Sequence, residues 1–291
     1  MELVAGLADI ADRYDGYIID LWGVVHDGAR PFPGAVDALL RLTGSGKRVC
    51  LLSNAPRRAE GLIARLREMG VPDDAYHHLL SSGEATYQAL RDRPDEAHQA
   101  LGRRCYMIGP DYNAGILPDG DGVTVVDRLE DADFCVVTAW GGQGIPLQDY
   151  DPLLRTMLDR DMVMVCGNPD LEVIQDGERH YCAGAIGARY AAMGGRMIYH
   201  GKPHRGVYET ALQMLGVADR SRVAGIGDSF TTDVPGARGA GIGAVFVADG
   251  IHGEALGLAG DDDPVSLDRV QGLAATHGVA PDIVMRRFVW G

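Results

Sequence analysis

Positive charge is scarce in this 291-residue chain: 27 Lys and Arg stand against 41 Asp and Glu, a formal net charge of −14. That balance argues against a nucleic-acid groove or an anionic membrane surface as partner, since both attract the opposite sign. A phosphate-bearing substrate would need a local positive site, from a metal, a lysine or backbone N–H groups. Paired cysteines are missing as well. Cys50, Cys105, Cys135, Cys166 and Cys182 include no CxxC pair, so they read as buried thiols in a reducing compartment rather than as a zinc site. No apolar run approaches membrane length, and the opening MELVAGLADIADRYDG carries acids where a signal peptide needs bases. The expected location is the cytoplasm, with no membrane partner.

What is present is alternation. Strand-like apolar runs fall at 17–21, 48–53, 104–108, 123–126, 134–139, 162–166, 196–199, 223–226, 244–247 and 283–288. Helical patterns fall at 35–42, 57–69, 84–91, 152–159, 183–193, 207–215 and 266–275. Short β-rich runs separated by helices predict βαβ units and mostly parallel sheets, an α/β fold. About ten strands would make an unusually wide open sheet, so two sheets are expected. No long linker interrupts the pattern, which favours one domain inserted into another.

Chemistry gathers at strand ends. In IDLWGVVHDG, residues 19–28, a buried run delivers Asp20 to a glycine-containing loop. The second strand closes on Ser53 and Asn54. Lys202 stands between Gly201 and Pro203, and Gly-Ile-Gly at 225–227 leads into Asp228, with Asp233 five residues on. Ligands of open α/β sheets bind outside the carboxyl ends of the strands. If these strands are neighbours, Asp20 and Asp228 would repel unless a cation lay between them, and hard carboxylate oxygens suit Mg²⁺. Lys202, the Ser53 hydroxyl and loop N–H groups would support a phosphate there. Asp20 could then attack phosphorus in line, splitting hydrolysis into two steps through an aspartyl-phosphate.

Asp-Leu-Trp-Gly-Val, Leu-Leu-Ser-Asn, Gly-Lys-Pro and Gly-Ile-Gly-Asp-Ser followed by Asp233, in that order, resemble motifs I to IV of the haloacid dehalogenase superfamily. About 150 positions separate Ser53 from Lys202, far more than one crossover needs. The resemblance implies a Rossmann-like core with a parallel sheet at 1–80 and 199–291, and an inserted α/β type-two cap at 81–198. Cys166-Gly-Asn-Pro-Asp170, Cys182-Ala-Gly-Ala-Ile186 and Ser81-Ser82-Gly83-Glu84-Ala85 resemble the cap of the NagD-like branch, subfamily IIA. The implied activity is a Mg²⁺-dependent phosphatase of a small phosphorylated metabolite. Asp20 would be nucleophile and metal ligand, Asp228 the second ligand, and the Trp22 backbone carbonyl a third. Ser53 would hold the transferring phosphoryl group, and Lys202 would neutralise charge near the nucleophile. Asp233 would orient metal-bound water or Lys202. Asn54 is a candidate substrate contact beside Ser53. Asn168 and Asp170 are candidates too, or else simply form an Asx turn around Pro169. The glycine-rich 141–144 reads as a flexible cap loop. The cap would close over the substrate and select it, and such caps often form homodimer contacts.

One expected part is missing. Phosphatases of this superfamily usually carry a second aspartate two positions after the nucleophile, where this chain has Trp22. A positioned general acid is typically worth about 10²–10⁴-fold. Either His26 or Asp27 substitutes, or the substrate has a good leaving group or turnover is slow, or the protein is a phosphate-ester binding or regulatory module. His26 and Asp27 could equally cap the turn at Asp27-Gly28. Trp22 could fill space or stack on the substrate. Arg57 and Arg58, near a helix start, read as solvated cations. A Rossmann oxidoreductase ranks last, because Leu21-Trp22-Gly23-Val24-Val25 is too bulky for a pyrophosphate turn. Dehalogenation needs no metal, so the paired Asp228 and Asp233 speak against it.

Overall fold

Runs that are apolar along their whole length become strands covered on both faces. In a computed structural model of the chain, residues 1–118, 120, 122–139, 145–175, 178–260 and 263–291 are described. The strands are β1 (Glu2–Val4), β2 (Gly16–Asp20), β3 (Arg48–Ser53), β4 (His78–Ser81), β5 (Arg104–Ile108), β6 (Thr124–Val125) and β7 (Phe134–Val137). They continue as β8 (Val163–Cys166), β9 (Glu172–Gln175), β10 (Glu178–Tyr181), β11 (Arg196–Tyr199), β12 (Val223–Gly227), β13 (Gly243–Val247) and β14 (Ile283–Met285). The chain divides into two compact units. One holds Met1–Ser53, Leu62–Leu80 and Lys202–Gly291, the other Asn54–Gly61 and Ser81–Gly201.

The first unit is built on a seven-stranded sheet in the order β1-β14-β13-β12-β2-β3-β4. The pairings from β1 through to β3 are parallel. Every residue of β2 and β12 is buried, as parallel strands sandwiched between helices must be. Chain order reverses at the centre: β3 lies on one side of β2, and β12 on the other. That is a topological switch point, where loops diverge and leave a crevice. Register places Asp20 beside Leu52 and Ile19 beside Ile226. Asp20, Ser53 and Asp228 therefore share one sheet edge.

The second unit has its own five-stranded sheet, β11-β8-β7-β5-β6, with every pairing parallel. One face carries Ile108, Cys135, Val137, Met164 and Cys166, packed with Leu154, Met157, Ile186 and Tyr190. The other carries Cys105, Phe134, Val136 and Val165, packed with Leu90 and Ile116. Cys135 and Val137 on one face and Phe134 and Val136 on the other follow the period of two. The five cysteines are buried free thiols, and burial pushes Cys50, Cys105, Cys166 and Cys182 up to about 12. Residues 54–61, which the sequence reading grouped with 1–80, are tied to this unit. Glu84 accepts from Arg58 Nε at 2.6 Å and from Ala59 N–H at 3.2 Å.

Several elements lie outside the sequence reading. β1 and β4 are too short to show a period, and the antiparallel hairpin β9–β10 is largely polar. The helix Asp233–Ala240 contains Pro235 and two glycines, poor helix formers. Its buried Val234, Ala237 and Ala240 show that packing overrides propensity there. The glycine-rich 141–144 falls outside the described residues. Among the described residues no helix is long and apolar enough to cross a membrane.

Candidate active site

The strand ends set the geometry. Directly after β2 the chain turns back on itself, with Leu21 C=O accepting from Val25 N–H at 2.8 Å and His26 N–H at 3.0 Å. Gly23 takes φ +81° in this turn, and a Cβ there would lie 2.1 Å from Asp228 Oδ2. Gly250, in the loop after β13, faces the same oxygen: a Cβ would lie 2.2 Å away. The Asp228 carboxylate thus sits in a slot that only two glycines leave open. Ile251 N–H donates to Asp228 Oδ2 at 2.8 Å.

Lys202 joins the remaining acids. Its ammonium donates to Asp20 Oδ1 at 2.5 Å and to Asp233 Oδ1 at 2.8 Å. Ser229 N–H holds the other Asp233 oxygen at 3.2 Å. Lys202, Asp20 and Asp233 are all buried. Burial, with the Asp233 and Asp228 charges adding to it, pushes the Asp20 carboxyl well above the usual carboxylate range, against the pull of Lys202.

Asp20, Asp228 and Asp233 each offer an oxygen within 4.8 Å of the others. Oxygens on opposite sides of an ion that binds at about 2.1 Å lie about 4.2 Å apart, so this spacing suits a divalent cation. Three buried carboxylates facing one ammonium carry surplus negative charge, and hard oxygen donors select a hard cation. The residues fit such an ion.

The predicted residues divide between the units. Asp20, Lys202, Asp228 and Asp233 meet in the first, with Ser53 one residue past the position that pairs with Asp20. Trp22 is also there, 37% exposed. Its indole packs over Gly28, where a Cβ would lie 2.4 Å from the ring, and meets the His26 ring edge-on at 5.8 Å. Asn54, Asn168 and Asp170 lie in the second unit. Asn54 Nδ2 donates to Asp170 Oδ1 at 2.7 Å, and Asn168 Oδ1 accepts from Asp170 N–H at 3.2 Å, closing the Asx turn.

His26 and Asp27 both serve the turn. His26 Nδ1 accepts from Gly28 N–H at 3.0 Å, and burial holds its pKa below the ordinary value. Asp27 Oδ1 accepts from Ala29 and Arg30 N–H at 2.9 and 2.8 Å, bonds that lower its pKa. Arg58 is structural too, paired with Glu84 and lying 3.4 Å over the Tyr87 ring. Sequence reasoning missed Gly23, Gly250 and Ile251, whose backbones shape the Asp228 slot. The only available signal was a glycine loop after a buried strand.

Two family models match the chain. Residues 17–119 match the family model described as haloacid dehalogenase-like hydrolase, and residues 199–270 match one described as HAD-hydrolase-like. A haloacid dehalogenase-like family hydrolase from Brucella suis 1330 is 32% identical, with 98% of this chain and 100% of that one covered at a TM-score of 0.81. Chronophin of Mus musculus is 26% identical over 277 residues, 93% of this chain and 94% of the relative. A p-nitrophenyl phosphatase from Archaeoglobus fulgidus is 25% identical, covering 93% and 95% of the two chains at a TM-score of 0.67.

Proposed function

Because this chain belongs to the haloacid dehalogenase-like hydrolases, we propose that it hydrolyses small phosphate monoesters with Mg²⁺ bound, through a covalent intermediate on Asp20. The observation that carries this is Lys202 donating to both Asp20 and Asp233 within a buried cluster that includes Asp228. The p-nitrophenyl phosphatase relative supports the ester chemistry.

Asp20, Asp228 and the Trp22 carbonyl would hold the ion, which when bound neutralises the acids and the charge of the phosphate. Lys202 holds Asp20 Oδ1, orienting the carboxylate for in-line attack. The Asp20 oxygen bonds to phosphorus as the ester P–O bond breaks, and the leaving oxygen departs with the bonding electrons. Ser53, at the neighbouring strand end, steadies the phosphoryl oxygens. Water then attacks phosphorus, releasing phosphate and restoring the Asp20 carboxylate. Asp233 keeps Lys202 in place. Asn54, Asn168 and Asp170 would contribute to substrate choice.

The test is turnover of p-nitrophenyl phosphate with Mg²⁺. Wild-type activity that disappears in Asp20→Asn supports the reading. Tight binding of phosphate esters by the wild type without turnover would replace it with a phosphate-ester binding module.

A further inference from the structure

Asp228 lies one residue beyond the end of β12, with one loop following it and another approaching from β13. A side chain from each loop reaches the other. Ile251 N–H donates to Asp228 Oδ2 at 2.8 Å. The next residue, His252, accepts at Nε2 from Phe230 N–H at 3.2 Å. These two bonds close a circuit. It runs from Asp228 two residues along the chain to Phe230, across to His252, back to Ile251, and across again to Asp228. A peptide N–H only donates, so Nε2 of this ring carries no proton and the neutral imidazole is protonated at Nδ1. The ring itself is wedged, edge-on to Phe230 at 5.6 Å. Phe230 in turn lies 4.5 Å from Phe246 and stacks on His277.

We propose that His252 is a positioning residue for the metal site: it clamps the loop bearing Asp228 to the loop bearing Ile251, and so fixes the Asp228 carboxylate where it meets the cation. The proposal rests on the divalent-ion reading above. Three buried carboxylates within 4.8 Å repel one another, and Asp228 stands past the last ladder position of its strand. Without the clamp the loop can swing its carboxylate away from the other two. Side chains that orient metal ligands in this indirect way are worth about 10–100-fold in affinity.

The experiment is calorimetric titration of the full chain with MgCl₂, beside the thermal midpoint of each metal-free protein. His252→Phe keeps a ring in the aromatic cluster but offers no acceptor to Phe230 N–H. It is expected to weaken Mg²⁺ binding by about tenfold or more, with a metal-free midpoint lowered by no more than the loss of one hydrogen-bond acceptor brings. His252→Gln places an amide oxygen where Nε2 was and is expected to keep most of the affinity. His252→Leu serves in place of His252→Phe if the latter does not fold, with the same two outcomes. The proposal is overturned if the acceptor-free variant binds Mg²⁺ as tightly as wild type, or if His252→Gln weakens as much. A wild-type chain that binds no Mg²⁺ overturns the metal reading itself.

Discussion

Lys202 donates to Asp20 and Asp233 from a position with almost no access to water, and this arrangement governs what each neighbour can do. An ammonium so placed holds one Asp20 oxygen, and in the proposed reaction it orients the carboxylate for its attack on phosphorus. Trp22 poses the complementary question, because an indole cannot hand a proton to a leaving oxygen, and His26 and Asp27 are engaged in the turn beside it. Leaving groups that depart without protonation should therefore be favoured. Trp22→Asp is expected to raise kcat/KM for alkyl phosphates by up to about 10²-fold, with little change for p-nitrophenyl phosphate. A fall for both esters would show instead that the indole shapes the site. His26→Ala tests the substitute acid directly. It should lower the thermal midpoint, since Gly28 N–H loses its acceptor, at a cost of about 1 kcal/mol. The alkyl-to-aryl activity ratio should not move; a selective loss of alkyl turnover would make His26 the acid.

Single acids also stitch elements together. Asp133, just before β7, accepts from the Arg103 and Arg104 N–H groups at 3.0 and 2.9 Å and from the Arg104 guanidinium at 2.7 Å. It thereby anchors the start of β5 against β7. The Arg104 side chain, with those backbone donors, lowers the Asp133 pKa to about 2. A depressed carboxylate pKa contributes stability above its unfolded value of about 3.9 and loses it as pH falls toward the folded value. Asp133→Asn should therefore lower the thermal midpoint at pH 7. The gap from wild type should close as pH drops from about 4 to about 2. A gap independent of pH across that window would show that only the neutral hydrogen bonds matter. Ser81 plays a similar part at a helix start, accepting from Glu84 N–H at 2.9 Å and donating to Arg57 C=O at 2.5 Å.

At the scale of the whole molecule, a net charge of −14 and a buried acidic cluster act in the same direction. Both oppose compaction, and a bound cation relieves the second. Mg²⁺ is expected to raise the thermal midpoint by mass action, contributing about 2.7 kcal/mol at a hundredfold excess over Kd. EDTA should reverse the shift. Scanning calorimetry of wild type against Asp228→Asn checks this, because the variant should lose most of the Mg²⁺ effect. An equal rise in both would assign the effect to general screening, which acts over a Debye length of about 10 Å at 0.1 M salt.

The amino-acid sequence by itself determined the alternation of strands and helices, the division between two sheets and the order of the reactive side chains. Strands covered on both faces must be apolar throughout, and 223–226 and 244–247 are legible on that ground alone. Short or polar strands such as β4 and β9 left no such pattern, and the helix at Asp233–Ala240 is held by its buried side chains against its own glycines and proline. Only the tertiary structure decided which side chains meet. Asp20 and Lys202 stand 182 residues apart, and Asp228 finds the Ile251 N–H 23 residues away. A hydrogen bond between distant segments imposes no period on either. The fate of His26 and Asp27 was equally hidden, because one residue type can cap a turn or move a proton, and only the partner it meets in space selects between them.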